Sequence, residues 1–235
     1  MMKTSRSLLA AVVFTAMFAA PVPSLAAEVI GNVEMLSVWA YGTPPDEPRR
    51  DLRARSTVHA EELIETVNRA EVLIRFVDGT TLGIGGDSTI FLDELVYDGG
   101  ADDSMVLDIT QGLFHFVTGD IAPQAVTIVT PAMIVGIRGT DLVISVDENG
   151  KTTLDVRDGA ATATPTAGGP TTDVTVGQSA TAELGDGRVD VANGLSSASS
   201  GPTPGSSGGG SGSGGGNGGG GGNGGDRGGG GGHGG

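Results

Sequence analysis

The clearest alternation of apolar and polar side chains lies in residues 130–147, which read TPAMIVGIRGTDLVISVD. Residues 133–135 and 142–146 are apolar runs rich in β-branched side chains, which favour an extended backbone over a helix. In the second run every second residue is a large aliphatic, so one row of side chains faces a core and the other is half covered. Gly136 and Gly139 lie between the runs and allow the backbone to bend or bulge. The pattern predicts strands on both sides of this connector.

Short segments with a similar pattern follow one another from residue 29 to residue 191. Turn dipeptides such as Asp78-Gly79, Asn149-Gly150 and Asp158-Gly159 fall between them. About a dozen short strands, with turn signals every 8 to 12 residues or so and no convincing long helix, predict an all-β single domain. A sandwich and a solenoid-like coil of short strands are both open, because no repeat of constant period stands out.

Two of the apolar regions are each interrupted by a turn signal. Gln111-Gly112 falls within residues 105–117, and Asp158-Gly159 falls within residues 152–164. Asp-Gly favours tight turns because both positions can adopt positive φ. We therefore expect each region to form two short strands rather than one.

The two ends of the chain differ from the middle in composition. A basic start, an apolar run over residues 8–20 and small residues after it have the layout of a secretory signal peptide, predicted to be residues 1–26. A retained membrane anchor is the alternative, but the run is shorter than the roughly 20 residues that span a bilayer. From residue 201 onward 23 of 35 residues are glycine, so residues 193–235 are predicted to be a disordered Gly/Ser-rich tail. Residues 27–192 are then the folded domain.

Charge and cysteine content exclude several classes of protein. The chain has 13 basic and 28 acidic residues, and two of the basic residues lie in the predicted leader, so the exported chain would carry a net charge of −17. Such a chain repels nucleic acid and anionic membrane surfaces. Cysteine is absent, so neither disulfides nor thiol chemistry is available. No stretch after the leader is long and apolar enough to predict a transmembrane helix.

Candidate reaction chemistry is sparse. His59 and His115 are the only histidines of the predicted domain, and neither has a histidine neighbour at the spacing of a metal pair. His115 lies between two phenylalanines and is interpreted as a packed side chain rather than a general base. Residues 93–103 contain five acidic side chains, but their spacing does not match an EF-hand, which favours a solvated loop over a calcium site. With no GxSxG elbow either, the sequence predicts no enzyme, no cofactor and no metal site.

Two further features have alternative interpretations. Trp39 shares strand spacing with Val33 and Met35, and such an aromatic is interpreted as core or rim rather than a ligand platform. A small basic cluster in this acidic chain is expected either to pair with the protein's own carboxylates or to dock a partner, and it comprises Arg49, Arg50, Arg53 and Arg55.

The order of several motifs over residues 28–192 resembles that of the FecR-type domain, a bacterial extracytoplasmic β-module. The most specific part is a Thr-Pro pair followed by Arg-Gly-Thr, here Thr130, Pro131, Arg138, Gly139 and Thr140. These residues match a motif rather than a catalytic site. A guanidinium beside two glycines can bond backbone carbonyls or a carboxylate, so a structural clamp is preferred over ligand contact for Arg138. Other matches are Val29-Ile30-Gly31-Asn32-Val33, residues 70–84, Gln111-Gly112-Leu113-Phe114, Asp158-Gly159 and Gly177-Gln178.

The resemblance implies a non-catalytic binding or signalling module in the periplasm or at the cell surface. In the iron-transport regulators of the family, the domain relays a signal from an outer-membrane receptor and is joined to a transmembrane helix and a sigma-controlling cytoplasmic segment. The sequence shows neither, so the expectation is a stand-alone exported FecR-like domain that recognises an envelope protein or glycan. A structural surface or matrix protein, with the Gly-rich tail as a spacer, is the alternative. The sequence leaves the oligomeric state open.

Overall fold

A computed structural model describes residues 27–200, without the side chains of Thr140, Ser199 and Ser200. The predicted signal peptide and residues 201–235 of the predicted tail lie outside the described residues. The described chain is built from β-strands and two short 3-10 turns, Pro123–Ala125 and Ser197–Ser200, which confirms the all-β prediction. Within this range no helix has the length and apolar character that crossing a membrane requires.

Fifteen strands follow one another along the described residues. The first eight are β1 Val29–Ser37, β2 Ala40–Thr43, β3 Arg50–Asp51, β4 Thr57–His59, β5 Glu62–Thr66, β6 Glu71–Phe76, β7 Thr81–Ile84 and β8 Thr89–Val96. The remaining seven are β9 Ser104–Val117, β10 Val126–Val129, β11 Met133–Val146, β12 Thr152–Pro165, β13 Thr172–Thr175, β14 Gln178–Ala182 and β15 Asp190–Asn193.

All fifteen strands belong to one hydrogen-bonded sheet. Its main path runs β15-β14-β12-β11-β10-β9-β7-β6-β1-β4, and the remaining strands branch from it. Strand β10 pairs with β9 in parallel, whereas the other pairings are antiparallel. The sequence left a sandwich and a solenoid-like coil open. The structure has neither two separate sheets nor a coil of parallel strands, but one branched sheet around a single core.

That core is one cluster of aliphatic and aromatic side chains from nearly every strand. Alternate residues of the segment that carries the predicted motif enter it, since Leu142, Ile144 and Val146 are buried. Val143 is also buried, so this half of β11 is covered on both faces. The predicted Asp78-Gly79 hairpin joins β6 to β7 and is confirmed.

The prediction of split strands at internal turn signals is wrong for β9 and β12, since each of them runs through its glycine for 14 residues. Strand β11 is equally long and has a bulge at the predicted bend. Gly112 has φ of 121° and Gly139 has φ of 77°, so the backbone kinks at these points without leaving the sheet. The physical reason is long-range pairing. One half of β9 pairs with β8 and β10, and its other half pairs with β7 and β11, so neighbours on both sides hold the strand in the sheet.

Candidate functional site

The first part of the family motif, Thr130 and Pro131, belongs to a hydrogen-bonded cluster of polar groups just before β11. The Thr130 hydroxyl donates to the Met133 carbonyl at 2.7 Å and accepts from the Met133 amide at 3.0 Å. The hydroxyl of Thr152 on β12 also donates to it at 3.0 Å, while the Pro131 carbonyl accepts from the hydroxyl of Thr166 at 2.7 Å. Thr130 therefore ties the start of β11 to the start of β12, and Pro131 ties the same segment to the residue after the end of β12.

The second part of the motif forms a β-bulge in the middle of β11. The pairing register with β12 shifts between Ile137 and Thr140, and Gly139 adopts the left-handed conformation there. The Arg138 side chain is exposed, and its Nη1 lies 3.5 Å from Oδ1 of Asp173, which is also exposed. An exposed pair at this distance contributes little stability. The structure thus brings Arg138 to a carboxylate on the neighbouring β13 region at the protein surface.

A polar cluster lies directly beside this bulge. His115 of β9 is buried, as interpreted from its phenylalanine neighbours, and its Nε2 lies 2.6 Å from Oδ1 of Asp141. Nη1 of Arg157 on β12 lies 3.4 Å from the same imidazole nitrogen. These side chains link β9, β11 and β12 close to the points where β11 and β12 change partners, so the arrangement connects three strands there.

A second polar cluster closes the outer edge of β4. The fully buried carboxylate of Glu62 accepts from Nη2 of Arg50 at 2.7 Å and from the His59 backbone amide at 2.9 Å. The same guanidinium donates to the Thr57 carbonyl at 2.9 Å. Side chains therefore satisfy the outward-pointing backbone groups of β4 in place of a neighbouring strand. Arg49 likewise pairs with Glu65 at 3.1 Å, so half of the predicted basic cluster is paired with the protein's own carboxylates.

The acidic residues between β8 and β9 form a loop braced by its own carboxylates. Oδ1 of Asp103 accepts from the Asp98 amide at 2.9 Å, and Oδ1 of Asp98 accepts from the Gly100 amide at 2.8 Å. Burial raises the pKa of the nearby Tyr97 phenol, and the carboxylates of Asp120, Asp78 and Asp103 add to the effect. Within residues 27–200 no group of three or more acidic or histidine side chains is placed to hold a metal ion.

The most unusual surface of the described residues is the corner between β1 and β2. Trp39 is 57% exposed and so is Val38, so Trp39 is not a core residue, and of the two interpretations only a place at the rim is compatible with the structure. Val38 has φ of 67°, an outlier for a β-branched residue. The Trp39 carbonyl accepts from the Val67 amide at 3.3 Å, and the Val67 carbonyl accepts from the Asp87 amide at 3.4 Å. Arg69 and Asp87 of these connected turns also have positive φ, at 60° and 54°.

Three segments that each carry a strained non-glycine residue are thus joined through backbone hydrogen bonds, and one of them carries the exposed Trp39. Asn68 in the middle turn is exposed and donates from Nδ2 to Oδ2 of Asp87 at 2.7 Å. Strain of this kind costs about 1–3 kcal/mol per residue and persists only where the surrounding structure imposes it. We call this surface the Trp39 corner, defined as Val38, Trp39, Asn68, Arg69 and Asp87. No glycine or asparagine marks the strained position at Val38, so the sequence carries no signal for it.

Comparison with known proteins matches residues 62–162 to the family model described as FecR protein. No curated protein matches the chain. Two crystal structures of a proposed anti-sigma factor from Parabacteroides distasonis are similar, with a TM-score of 0.47 and 12% sequence identity. The similarity covers 57% of this chain and 60% of that protein, so the chain spans less than two thirds of its length. The resemblance inferred from the motifs is confirmed over residues 62–162, which match the FecR family model.

Proposed function

We propose that this protein is an exported regulatory signalling module of the cell envelope that acts by binding a protein partner and catalyses no reaction. The FecR domain over residues 62–162 is the observation that carries the proposal, because it indicates a signalling role. The leader-like residues 1–26 support export to the periplasm or the cell surface.

We assign partner binding to the Trp39 corner. Trp39 and Val38 are exposed apolar side chains, and backbone hydrogen bonds connect them to turns with the exposed polar residues Asn68, Arg69 and Asp87. An apolar anchor with polar neighbours is typical of protein interfaces. Tryptophan is the side chain most enriched among residues that dominate binding energy. The strained turns hold the anchor in place before binding, which reduces the entropy lost on association.

Tryptophan fluorescence tests this assignment directly, because Trp39 is the only tryptophan of the chain. The purified protein is titrated with fractionated envelope extract, and the saturable component is identified by mass spectrometry. Burial of the indole predicts a blue shift of its emission at saturation. Trp39→Ala should weaken capture of that component by at least about 30-fold. Leu184→Ala, which removes an equally exposed apolar side chain from the turn after β14, is the matched control and should bind normally.

Three results would count against the proposal. Capture of the same partner by Trp39→Ala at wild-type affinity would place binding elsewhere. A saturable blue shift with purified glycans but not with proteins would assign the corner to a glycan. Recovery of the protein as an insoluble self-assembled layer, with no saturable partner, would favour a structural matrix role. Export is tested separately by cell fractionation and by the mass of the processed chain, which should begin at Ala27.

A further inference from the structure

The two edge strands of the main sheet path, β4 and β15, differ in whether their outward backbone groups are hydrogen-bonded. At β4 the outward backbone groups of Thr57 and His59 are taken by Arg50 and Glu62, as described above. Such blocking prevents another strand from adding to the edge. At the other end, β15 pairs with β14 only, and all four of its residues are exposed. Within the described chain nothing covers this edge.

The pairing of β15 with β14 fixes which backbone groups are available. The Gly194 amide donates to the Gly177 carbonyl at 2.8 Å, so these two residues form a hydrogen-bonded pair next to the end of the ladder. In an antiparallel pair such residues alternate along the strand. Asp190 and Ala192 therefore point their backbone groups at β14. Val191 points its amide and carbonyl away from the sheet, where they can accept another strand.

The Val191 side chain also lacks cover. It lies opposite Ala180 of β14, which is buried in the core, and residues opposite each other share one face of a sheet. Val191 thus extends the apolar row that lines the core, but it is 37% exposed because the sheet ends there. A strand added at this edge would cover it and continue the row.

We propose that the β15 edge is a docking surface for a second copy of this chain, which pairs its own β15 antiparallel across a two-fold axis at Val191. In this register Val191 faces the partner's Val191 on the core side. Asp190 faces the partner's Ala192 on the other side, so no like charges are opposed. The two sheets become one continuous sheet, and the interface is isologous, as two-fold symmetry requires.

Neighbouring registers are less favourable. Because outward-pointing residues must face each other, the strands slide past one another only in steps that preserve this alternation. Centring the axis on Asp190 would place that carboxylate against the partner's Asp190, which is repulsive. Centring it on Ala192 would place Val191 against the partner's Asn193 and lose the apolar contact. The Val191 register is the one that buries aliphatic against aliphatic without opposing like charges.

The proposal is tested by sedimentation equilibrium of the purified full chain over a range of concentrations and salt. Since each copy carries a net charge of −15, the dimer should strengthen as salt screens the repulsion between copies. Val191→Pro removes an outward amide without breaking a β14–β15 bond, so it should give a folded monomer. Val191→Lys opposes two like charges and should also abolish the dimer.

Ala192→Lys should strengthen the dimer, whereas the two substitutions of Val191 should abolish it. It places a lysine against the partner's Asp190 in both halves of the interface, so dimerisation should tighten about threefold to tenfold. Unfolding midpoints of the monomeric variants, measured in urea, show whether each substitution has spared the fold. A chain that stays monomeric at all concentrations and salts overturns the proposal, whatever covers the edge. So does a dimer that is unaffected by Val191→Pro or weakened by Ala192→Lys.

Discussion

At the scale of single residues, the molecule is distinguished by buried carboxylates that each have a defined set of donors. Glu62 is bound by Arg50 and His59. Asp78 accepts from the amide of Thr80 at 3.2 Å and from its hydroxyl at 2.5 Å. A buried charge without such partners is strongly unfavourable, so these donors matter more than exposed ion pairs do.

We expect Arg50→Ala to destabilise the fold by about 2–4 kcal/mol, because it leaves the fully buried Glu62 carboxylate without its cation. Arg49→Ala is the matched control. Its partner Glu65 is partly exposed, so the loss should be no more than about 1 kcal/mol. Urea unfolding of both variants measures the difference. Equal losses would show that the Arg50 pair has no special role.

Asp108 provides a prediction about pH. The side chain is exposed, but partial loss of contact between its carboxyl group and water raises its pKa, and the nearby carboxylate of Asp93 raises it further. The folded state therefore holds this proton more tightly than the unfolded chain, where the pKa is about 3.9. Stability falls as the pH rises from that value through the raised pKa of the folded state, and the full penalty is present at neutral pH.

Asp108→Asn should consequently raise the unfolding free energy at pH 7, by less than about 1 kcal/mol because the side chain is exposed to solvent. The gain should disappear at pH 3, where the carboxyl is protonated in both states. Asp93→Asn should give a smaller gain, since the carboxylate is the lesser of the two causes. Urea titrations at both pH values measure these effects. A gain that persists at pH 3 would point to packing rather than charge.

Site residues were predictable from sequence only where their role is local. The motif singles out Thr130, whose bonds to Met133 are local, although its bond to Thr152 spans 22 residues. The exposure of Trp39 was not predictable, because it depends on a strained Val38 and on turns that lie near it only in the folded chain. The burial of Glu62 was also missed, since it depends on Arg50, 12 residues away, on a different strand.

At the scale of elements, one dipeptide has two structural roles in this chain. Asp78-Gly79 turns β6 back onto β7, as predicted. Asp158-Gly159 lies inside β12, where the register with β11 shifts but pairing continues. The local sequence is the same, and the difference comes from the strands on either side. Strand content and the first hairpins could be predicted from periodicity, but continuity of the long strands could not.

Replacing the glycine at the kink should destabilise the fold by different amounts in β9 and β11. A Cβ on Gly112 would lie 2.1 Å from Oγ and 2.6 Å from Cα of Ser88, so Gly112→Ala should cost about 2–4 kcal/mol. A Cβ on Gly139 would come no closer than 3.5 Å to Pro123, so Gly139→Ala should cost only the backbone strain of about 1–2 kcal/mol. Thermal and urea unfolding of Gly112→Ala and Gly139→Ala measure the two losses of stability. A larger loss at Gly139 would contradict the steric argument.

At the scale of the whole molecule, the chain after β15 returns to the sheet. The buried carboxylate of Asp155 on β12 accepts from the Ser196 amide at 2.8 Å and from its hydroxyl at 2.5 Å. The 3-10 turn Ser197–Ser200 then lies near β11. Residues beyond the last strand therefore contribute to the packing of the central strands, although their composition already resembles that of the glycine-rich stretch.

Truncated chains measure how much the residues after β15 contribute to stability. A chain that ends at Gly194 loses both donors to Asp155, so it should be less stable than one that ends at Ser200 by about 1.5–3 kcal/mol. Ser196→Ala in the full chain removes only the hydroxyl and should give an intermediate loss. Urea unfolding of the three proteins provides the comparison. Equal stability of the two truncated chains would show that Asp155 finds other donors.

The attachment of Ser196 to Asp155 has a mechanical consequence. Tension applied to the polypeptide beyond residue 200 meets this pair of hydrogen bonds before it reaches the ladder between β15 and β14. The force is thus carried by β12, which has a paired strand on both sides, rather than by β15, which is paired on one side only. If an assembly pulled on the chain beyond residue 200, the hydrogen bonds between Ser196 and Asp155 would break first, and β15 would separate from β14 only afterwards.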